Sequence, residues 1–160
     1  MKSNLQSTES GTAHVYHLRV YYEDTDAGGI VYHANYLRFA ERARTEALRE
    51  LGLPHAAMVE QFALMFVVRR VEIDYLRPAR LDDRLSVVTA AVAVGGASAR
   101  LRQAITAEDG TELAVAHVDL ACVAPGESRP RRIPPQWRAA LASLLASGLL
   151  ASGTDKVATI

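Results

Sequence analysis

The sequence has almost no cysteine, no net charge and no long uninterrupted apolar run. Its 160 residues contain one cysteine, Cys122, which has no partner for an internal disulfide. Eighteen Lys plus Arg balance eighteen Asp plus Glu, so no overall positive field attracts nucleic acid or an anionic membrane. No apolar run reaches the roughly 20 residues of a bilayer-spanning helix, and no secretory signal is recognisable. We therefore expect neither nucleic acid binding nor membrane insertion, and a reducing, cytoplasmic location.

The remaining composition is that of one ordinary folded domain, with 49% apolar and 22% charged residues. Cys122 lies in an apolar run, which favours a small buried hydrophobe over a nucleophile. Changes in composition divide the chain into four segments: a polar, flexible leader at 1–12, the main domain at 13–135, a C-terminal helix at 136–150 and a flexible tail at 151–160.

Hydrophobic periodicity predicts an α+β fold. Alternation over 16–22 indicates a strand, and apolar residues three and four apart over 34–51 indicate a long helix that Gly52 and Pro54 end. Strand-like runs follow at 64–76, 85–94, 99–107 and 112–123, before a short helix that begins near Trp137. We therefore expect a curved five-stranded antiparallel sheet around one helix, with an edge strand that a second copy of the chain covers.

The segment at 22–36 combines three carboxylates, two glycines and a histidine just before the long helix. Free amides and the positive dipole end of a helix stabilise developing negative charge, as on a carbonyl oxygen under attack. Asp26 beside them can attack that carbonyl or activate a water. Residue types alone favour a structural interpretation, in which Asp24, Thr25 and Asp26 are turn formers or helix caps and His33 is a polar residue near the helix start. The spacing of the acidic and histidine residues predicts no metal site.

Residues 22–36, read as YEDTDAGGIVYHANY, closely resemble the YbgC-type acyl-CoA thioesterases of the hydroxybenzoyl-CoA thioesterase family. The resemblance continues through 66–70, 74–83 and 130–134, and so covers about 14–135. It implies a hotdog fold and a homodimer that often pairs into a homotetramer. It also implies hydrolysis of an acyl-CoA thioester with no metal or redox cofactor, coenzyme A entering as part of the substrate.

The same resemblance implies roles for individual residues. Asp26 matches the catalytic carboxylate of the family, as nucleophile or as general base, and the backbone N–H of His33 matches its oxyanion donor. Another hotdog branch uses a helix glutamate, which makes Glu41 the runner-up carboxylate. The residues expected to bind the substrate are Gly29, Val31, Tyr32, Tyr36, Ser98, Arg129 and Arg131, with Arg100, Arg102 and Arg132 as further candidates for the coenzyme A phosphates.

Two other functions stay open at this level. One is an acyl-CoA or acyl-carrier-protein binding partner of an envelope or lipid-metabolism assembly, such as the Tol-Pal system with which relatives are often linked. The other is a hotdog dehydratase that acts on 3-hydroxyacyl thioesters. The acyl chain length depends on which large side chains face the thioester, namely those of Tyr32, Tyr36, Phe62, Met65 and Phe66.

Overall fold

The computed structural model describes residues 5–8 and 11–145, and six strands and three α-helices lie in these ranges. The strands are β1 (Leu5–Thr8), β2 (Gly11–Arg19), β3 (Met65–Tyr75), β4 (Arg84–Val94), β5 (Ser98–Ala107) and β6 (Glu112–Val123). The helices are α1 (Asn35–Glu50), α2 (His55–Phe62) and α3 (Pro135–Ser143), and one turn of 3₁₀ helix follows β2 at Tyr22–Asp24.

The strands form one sheet in the order β1-β2-β4-β5-β6-β3, and every pairing in it is antiparallel. Helix α1 packs on one face of this sheet through Phe39, Ala40, Ala43 and Ala47, which share one side of the helix and are almost inaccessible to solvent. The predicted α+β arrangement, an antiparallel sheet around one long helix, is confirmed. Strands β1 and β3 form the two edges of the sheet.

Three elements differ from the sequence prediction. The first predicted strand, at 16–22, is wrong at both ends, because β2 begins at Gly11 and the backbone turns into the 3₁₀ helix at Tyr22. A sixth strand, β1, lies within the predicted leader; backbone pairing with β2 forms it without a pattern of apolar residues. Helix α2 was missed because eight residues are too short to show a clear period, and Pro54, read as a barrier to a helix, precedes its first turn.

The C-terminal helix α3 covers one end of the sheet. Trp137 and Leu141 are buried against the core, and the Ala91 N–H donates a 2.7 Å hydrogen bond to the carbonyl oxygen of Leu144. The predicted end of this helix at residue 150 and the predicted tail lie outside the described residues. None of the helices described is both long enough and apolar enough to cross a membrane.

The core between α1 and the sheet consists of two apolar clusters with a polar layer between them. Val87 and Ile105 belong to one cluster, Ala91 and Leu101 to the other, and the directly paired Thr89 and Gln103 lie between them on β4 and β5. These last two side chains are fully buried. We call Thr89, Gln103 and Arg44 the polar layer.

Hydrogen bonds satisfy the buried amide of Gln103. Its Nε2 group donates to the Thr89 hydroxyl at 3.0 Å and to the carbonyl oxygen of Ala40 at 2.9 Å, and its Oε1 accepts from Arg44 Nη1 at 2.9 Å. A buried amide left without partners costs about 1–3 kcal/mol, so these bonds fix the position of α1 above β4 and β5.

Helix α1 ends in the left-handed glycine cap that the sequence predicts. Gly52 has φ +79°, its N–H donates to Arg49 O at 3.0 Å, and the Leu53 N–H donates to Leu48 O at 2.9 Å. These two bonds satisfy the last carbonyl groups of the helix.

We expect Gly52→Ala to lower the free energy of unfolding by about 1–2 kcal/mol, because a Cβ disfavours the left-handed conformation. Gly96→Ala is the matched control: both glycines have open space where a Cβ would lie, but the φ of Gly96 is not positive. The control is expected to change stability by less than about 0.5 kcal/mol. Urea denaturation at one protein concentration measures both, and equal losses in the two variants would contradict the prediction.

Candidate active site

The loop between β2 and α1 is fastened by the buried side chain of Asp24. Its Oδ2 accepts a hydrogen bond from the Tyr21 N–H at 2.8 Å, and its Oδ1 accepts one from the side-chain amide of Asn35 at 2.9 Å. Its carbonyl oxygen accepts a third, from the Tyr32 N–H at 2.8 Å. Asp24 therefore joins the beginning of the loop to the first residue of α1 and has a structural role.

Asp26 lies two residues later and is exposed to solvent. Its Oδ1 accepts a hydrogen bond from the Gly28 N–H at 2.8 Å, while its carbonyl oxygen accepts from the Gly29 N–H at 3.0 Å. A Cβ on Gly28 would lie 3.1 Å from Oδ1, and Gly29 has φ +74°, so both glycines suit this turn. The turn orients the Asp26 carboxylate and leaves Oδ2 without a protein partner among the residues described.

Asp26 and His33 line the same open cleft, of about 410 Å³, together with Tyr36, Tyr75 and Pro78. His33 lies two residues before α1, at the positive end of the helix dipole. Within 5–8 and 11–145 the structure records no acceptor for the His33 N–H. The cleft thus combines a carboxylate with an uncommitted amide, an arrangement suited to attack on a carbonyl carbon.

Two tyrosines complete the wall of the cleft. The Tyr75 hydroxyl donates to the carbonyl oxygen of His33 at 2.8 Å, and the Tyr36 hydroxyl accepts from the Ala79 N–H at 3.0 Å. Burial raises the pKa of both tyrosines, and for Tyr75 the nearby Tyr36 raises it further. Both phenols are therefore protonated at neutral pH, and Tyr75 holds the peptide that follows His33. Sequence reasoning gave Tyr75 no role, because its alternation with charged neighbours identifies only a strand face.

The other loop residues predicted to bind substrate lie at or beside this cleft. Val31 and Tyr36 line it, and the Tyr32 ring packs edge-on against His33 with centroids 4.6 Å apart. Gly29 lies in the turn that carries Asp26. The structure therefore brings the loop portion of the predicted site together.

The predicted phosphate contacts lie near the start of β5, at the other end of the sheet. Ser98 begins β5, and the segment with Arg129, Arg131 and Arg132 is tied to the preceding turn because the Ile133 N–H donates to Gly96 O at 2.8 Å. Arg131 forms an ion pair with Glu127 at 2.7 Å.

Two of the candidate arginines on β5 already have carboxylate partners. Arg100 pairs with Asp119 at 2.9 Å and with Glu72 at 2.7 Å, and Arg102 pairs with Glu112 at 2.7 Å. No ion pair is recorded for Arg129 or Arg132 in the described ranges. These two are therefore the candidate cations left for an external anion.

The runner-up carboxylate, Glu41, lies away from the Asp26 cleft. It lines a second cavity of about 270 Å³ between α1, α2, α3 and the sheet, which we call the inner pocket and which Arg44, Phe66, Leu101, Leu120 and Leu141 also line. The Glu41 Oε1 accepts a 2.9 Å hydrogen bond from the Thr45 hydroxyl. In the described residues, no group of three or more His, Cys, Asp and Glu is placed to hold a metal ion.

Comparison with known proteins assigns the chain to a family. The sequence model of the thioesterase superfamily matches residues 28–114, more than half of the chain and most of the segment between the Asp26 turn and β6. The chain belongs to the thioesterase superfamily. A relative from Haemophilus influenzae, named acyl-CoA thioesterase YbgC, is 46% identical over 123 residues, which cover 77% of this chain and 90% of that protein. A relative from Escherichia coli, named acyl-CoA thioester hydrolase YbgC, is 45% identical over 117 residues, 73% of this chain and 87% of that one.

Solved thioesterase structures share the fold. A probable thioesterase from Bartonella henselae matches with a TM-score of 0.72 and 38% identity, over 76% of this chain and 99% of that one. A 1,4-dihydroxy-2-naphthoyl-CoA thioesterase from Synechocystis matches with a TM-score of 0.76 and 25% identity, over 82% and 97%. The expected hotdog fold and the resemblance to YbgC-type thioesterases are thereby confirmed.

The different surroundings of the two loop carboxylates lead to opposite expectations for stability. Asp24→Asn replaces one acceptor oxygen by an NH₂ group that faces a donor, so we expect the free energy of unfolding to fall by about 1–3 kcal/mol. Asp26 is exposed, and Asp26→Asn keeps the Oδ1 acceptor, so we expect the free energy of unfolding to change by less than about 0.5 kcal/mol. Thermal and urea unfolding measure both variants, and a loss at Asp26 as large as that at Asp24 would contradict this account.

Proposed function

We propose that the protein hydrolyses acyl-CoA thioesters in the Asp26 cleft, with Asp26 and the His33 amide as its catalytic groups. The proposal rests on one observation: Asp26, whose carboxylate the loop orients, lines the same cleft as His33, whose N–H has no recorded acceptor among the described residues. The activities named for the YbgC relatives support the substrate class. Coenzyme A enters as part of the substrate, and the proposed reaction needs only water besides.

The geometry suggests how the reaction proceeds. The thioester oxygen accepts a hydrogen bond from the His33 N–H, and the dipole of α1 stabilises the negative charge that develops there. Asp26 either removes a proton from the attacking water or itself bonds to the acyl carbon, forming an anhydride that water then cleaves. In both routes the C–S bond breaks, the thiolate of coenzyme A takes up a proton, and the free acid leaves. Loss of one such oxyanion donor costs about 3 kcal/mol in other acyl-transfer enzymes.

The edge strand β3 supports a homodimer. Its outer edge has no strand partner in the described ranges, and its large side chains are exposed, with 47% of Val68 and 37% of Val71 accessible. Antiparallel pairing of two copies about Val71 would place Arg70 opposite the partner's Glu72, and Glu72 opposite the partner's Arg70. This self-complementary pattern suits a two-fold interface.

Such a dimer would complete the active site. Within one protomer, β3 separates the cleft at Tyr75 from the inner pocket at Phe66 by nine residues, about 30 Å of extended strand. Antiparallel pairing brings the end of β3 beside the beginning of the partner's β3. The inner pocket of one protomer would then adjoin the Asp26 cleft of the other. Pairing of dimers into a tetramer stays a prediction from the resemblance.

We assign the coenzyme A phosphates to the segment after β6. Arg129 and Arg132 are exposed, and neither has a recorded ion-pair partner in the part of the chain described. Arg131 can join them only by leaving Glu127, and Ser98 offers a hydroxyl nearby. Arg100 and Arg102 are less suited, because each already pairs with a carboxylate.

Asp26→Asn is expected to lower kcat for acyl-CoA hydrolysis by about 10²–10⁴-fold, because it removes the base or nucleophile without removing the Oδ1 hydrogen bond. Glu41→Gln tests the runner-up carboxylate, and we expect it to lower kcat far less, since Glu41 lines the inner pocket and Asp26 lines the cleft. A panel from acetyl- to palmitoyl-CoA and benzoyl-CoA, read by thiol release, measures both variants. An active Asp26 variant with an inactive Glu41 variant would reverse the assignment.

The same panel separates an enzyme from a binding protein. A wild-type kcat/KM above about 10⁴ M⁻¹s⁻¹ for some thioester fits a working hydrolase, and values below about 10² throughout favour the binding role. Single-turnover hydrolysis in ¹⁸O water then tests the anhydride route, since label in the Asp26 carboxylate arises only from an anhydride that water cleaves at the Asp26 carbonyl carbon.

The dimer has its own test. Val71→Asp puts two like charges opposite each other at the centre of the proposed interface, so we expect at least about tenfold weaker self-association. Val59→Asp is the control, because Val59 is similarly exposed at 43% but lies on α2. Sedimentation equilibrium measures both, and an unchanged dimer in the Val71 variant would remove β3 as the interface.

A further inference from the structure

The inner pocket is apolar apart from a few polar side chains. Among these, Arg44 is the cation that reaches the core. Leucines from β5, β6 and α3 form its inner walls, and the buried Thr89 also lines it. Arg44 extends from α1 to the polar layer, where its Nη1 meets Gln103. The pocket therefore has a guanidinium group on an otherwise hydrophobic wall.

This guanidinium has fewer partners than its chemistry requires. A guanidinium offers five N–H donors, and one hydrogen bond, to the neutral amide of Gln103, is recorded for Arg44 in the described ranges. No carboxylate there lies within ion-pair distance of it. Burial lowers the pKa of Arg44, while the charge of Glu41 raises it. Arg44 is half-buried, so its guanidinium is partly desolvated, and a further acceptor in the pocket would offset that cost.

The other polar groups of the pocket are less suited to bind a ligand oxygen, and the buried Thr89 hydroxyl already accepts a hydrogen bond from Gln103. Glu41 is exposed and accepts the Thr45 hydroxyl, so it does not occupy the donors of Arg44. Burial lowers the pKa of His55, which is therefore neutral at pH 7. An oxygen atom carried into the pocket by a ligand would thus find its strongest donor at Arg44.

We propose that Arg44 determines acyl specificity, and that the preferred acyl groups carry a hydrogen-bond-accepting oxygen, as hydroxyl or carboxylate, at the end remote from the thioester. This inference rests on the proposed function, since the inner pocket receives the acyl group of a thioester held at the partner's Asp26. The cavity of about 270 Å³ lies just below the usual range of ligand pockets, which suits a short acyl group rather than a long lipid chain.

The test uses acyl-CoA sets matched in length. Hexanoyl-, 6-hydroxyhexanoyl- and adipoyl-CoA differ only at the sixth carbon, and the corresponding four- and eight-carbon sets vary the reach. For at least one length we expect wild-type kcat/KM to be about tenfold or more higher for an oxygenated chain than for the plain one. The hydroxyl and carboxylate arms show whether a neutral or an anionic oxygen is preferred.

Arg44→Met should abolish that preference: we expect kcat/KM to fall about 10- to 100-fold more for the oxygenated chain than for the plain chain of the same length. Loss of the hydrogen bond to Gln103 affects both chains alike, so the ratio between them is the measured quantity. Arg44→Lys keeps the positive charge and should retain part of the preference. A structural role alone would lower all substrates together, and that result would overturn the proposal.

The ratio of wild-type kcat/KM for the oxygenated chain to that for the plain chain tests the specificity proposal even if the Arg44 variants do not fold. Equal or better hydrolysis of the plain chain at every length contradicts the specificity proposal, while the Asp26 mechanism would stand. If no thioester is hydrolysed, the proposed function itself is contradicted, and the specificity role of Arg44 is contradicted as well.

Discussion

The hydrogen bonds of the buried Asp24 carboxylate hold the loop that contains Asp26 and His33 to α1. They connect the amide of Tyr21, after β2, with the side chain of Asn35, at the first turn of the helix. Asp26 and His33 both lie on the chain between these two points, so their separation is restricted by a short loop closed at its ends. The proposed chemistry needs no further catalytic side chain because this closure orients the carboxylate relative to the free amide.

The sequence predicted the fold well where periodicity was long. The apolar stripe that ends at the left-handed Gly52 predicted α1. The Asp-Gly turn at Gly110 is a strong local signal and predicted the β5–β6 hairpin. Short elements gave no such signal. Helix α2 buries essentially one side chain, that of Met58, and β1 is formed by backbone pairing that leaves no trace in the order of apolar residues.

The candidate site was identified from its motif and not from residue types. Asp24 and Asp26 have the same side chain, and only their surroundings separate a buried structural carboxylate from an exposed one that is the candidate for catalysis. Tyr75 and Arg44 were missed because their roles depend on tertiary contacts, to the carbonyl of His33 and to Gln103 respectively. Pairing of Arg100 and Arg102 with carboxylates likewise depends on cross-strand register, which no linear pattern reveals.

The polar layer has a consequence for how the polypeptide reaches a unique native state. A purely hydrocarbon contact would let α1 slide along the sheet by one helical turn, about 5.4 Å, with little change in buried area. Such a slip would remove the hydrogen bonds that Gln103 makes to Ala40 and Arg44 of the helix, at a cost of about 1–3 kcal/mol for the buried amide. The layer thus disfavours packings of the helix in another register and fixes its first turn, next to which the candidate site lies.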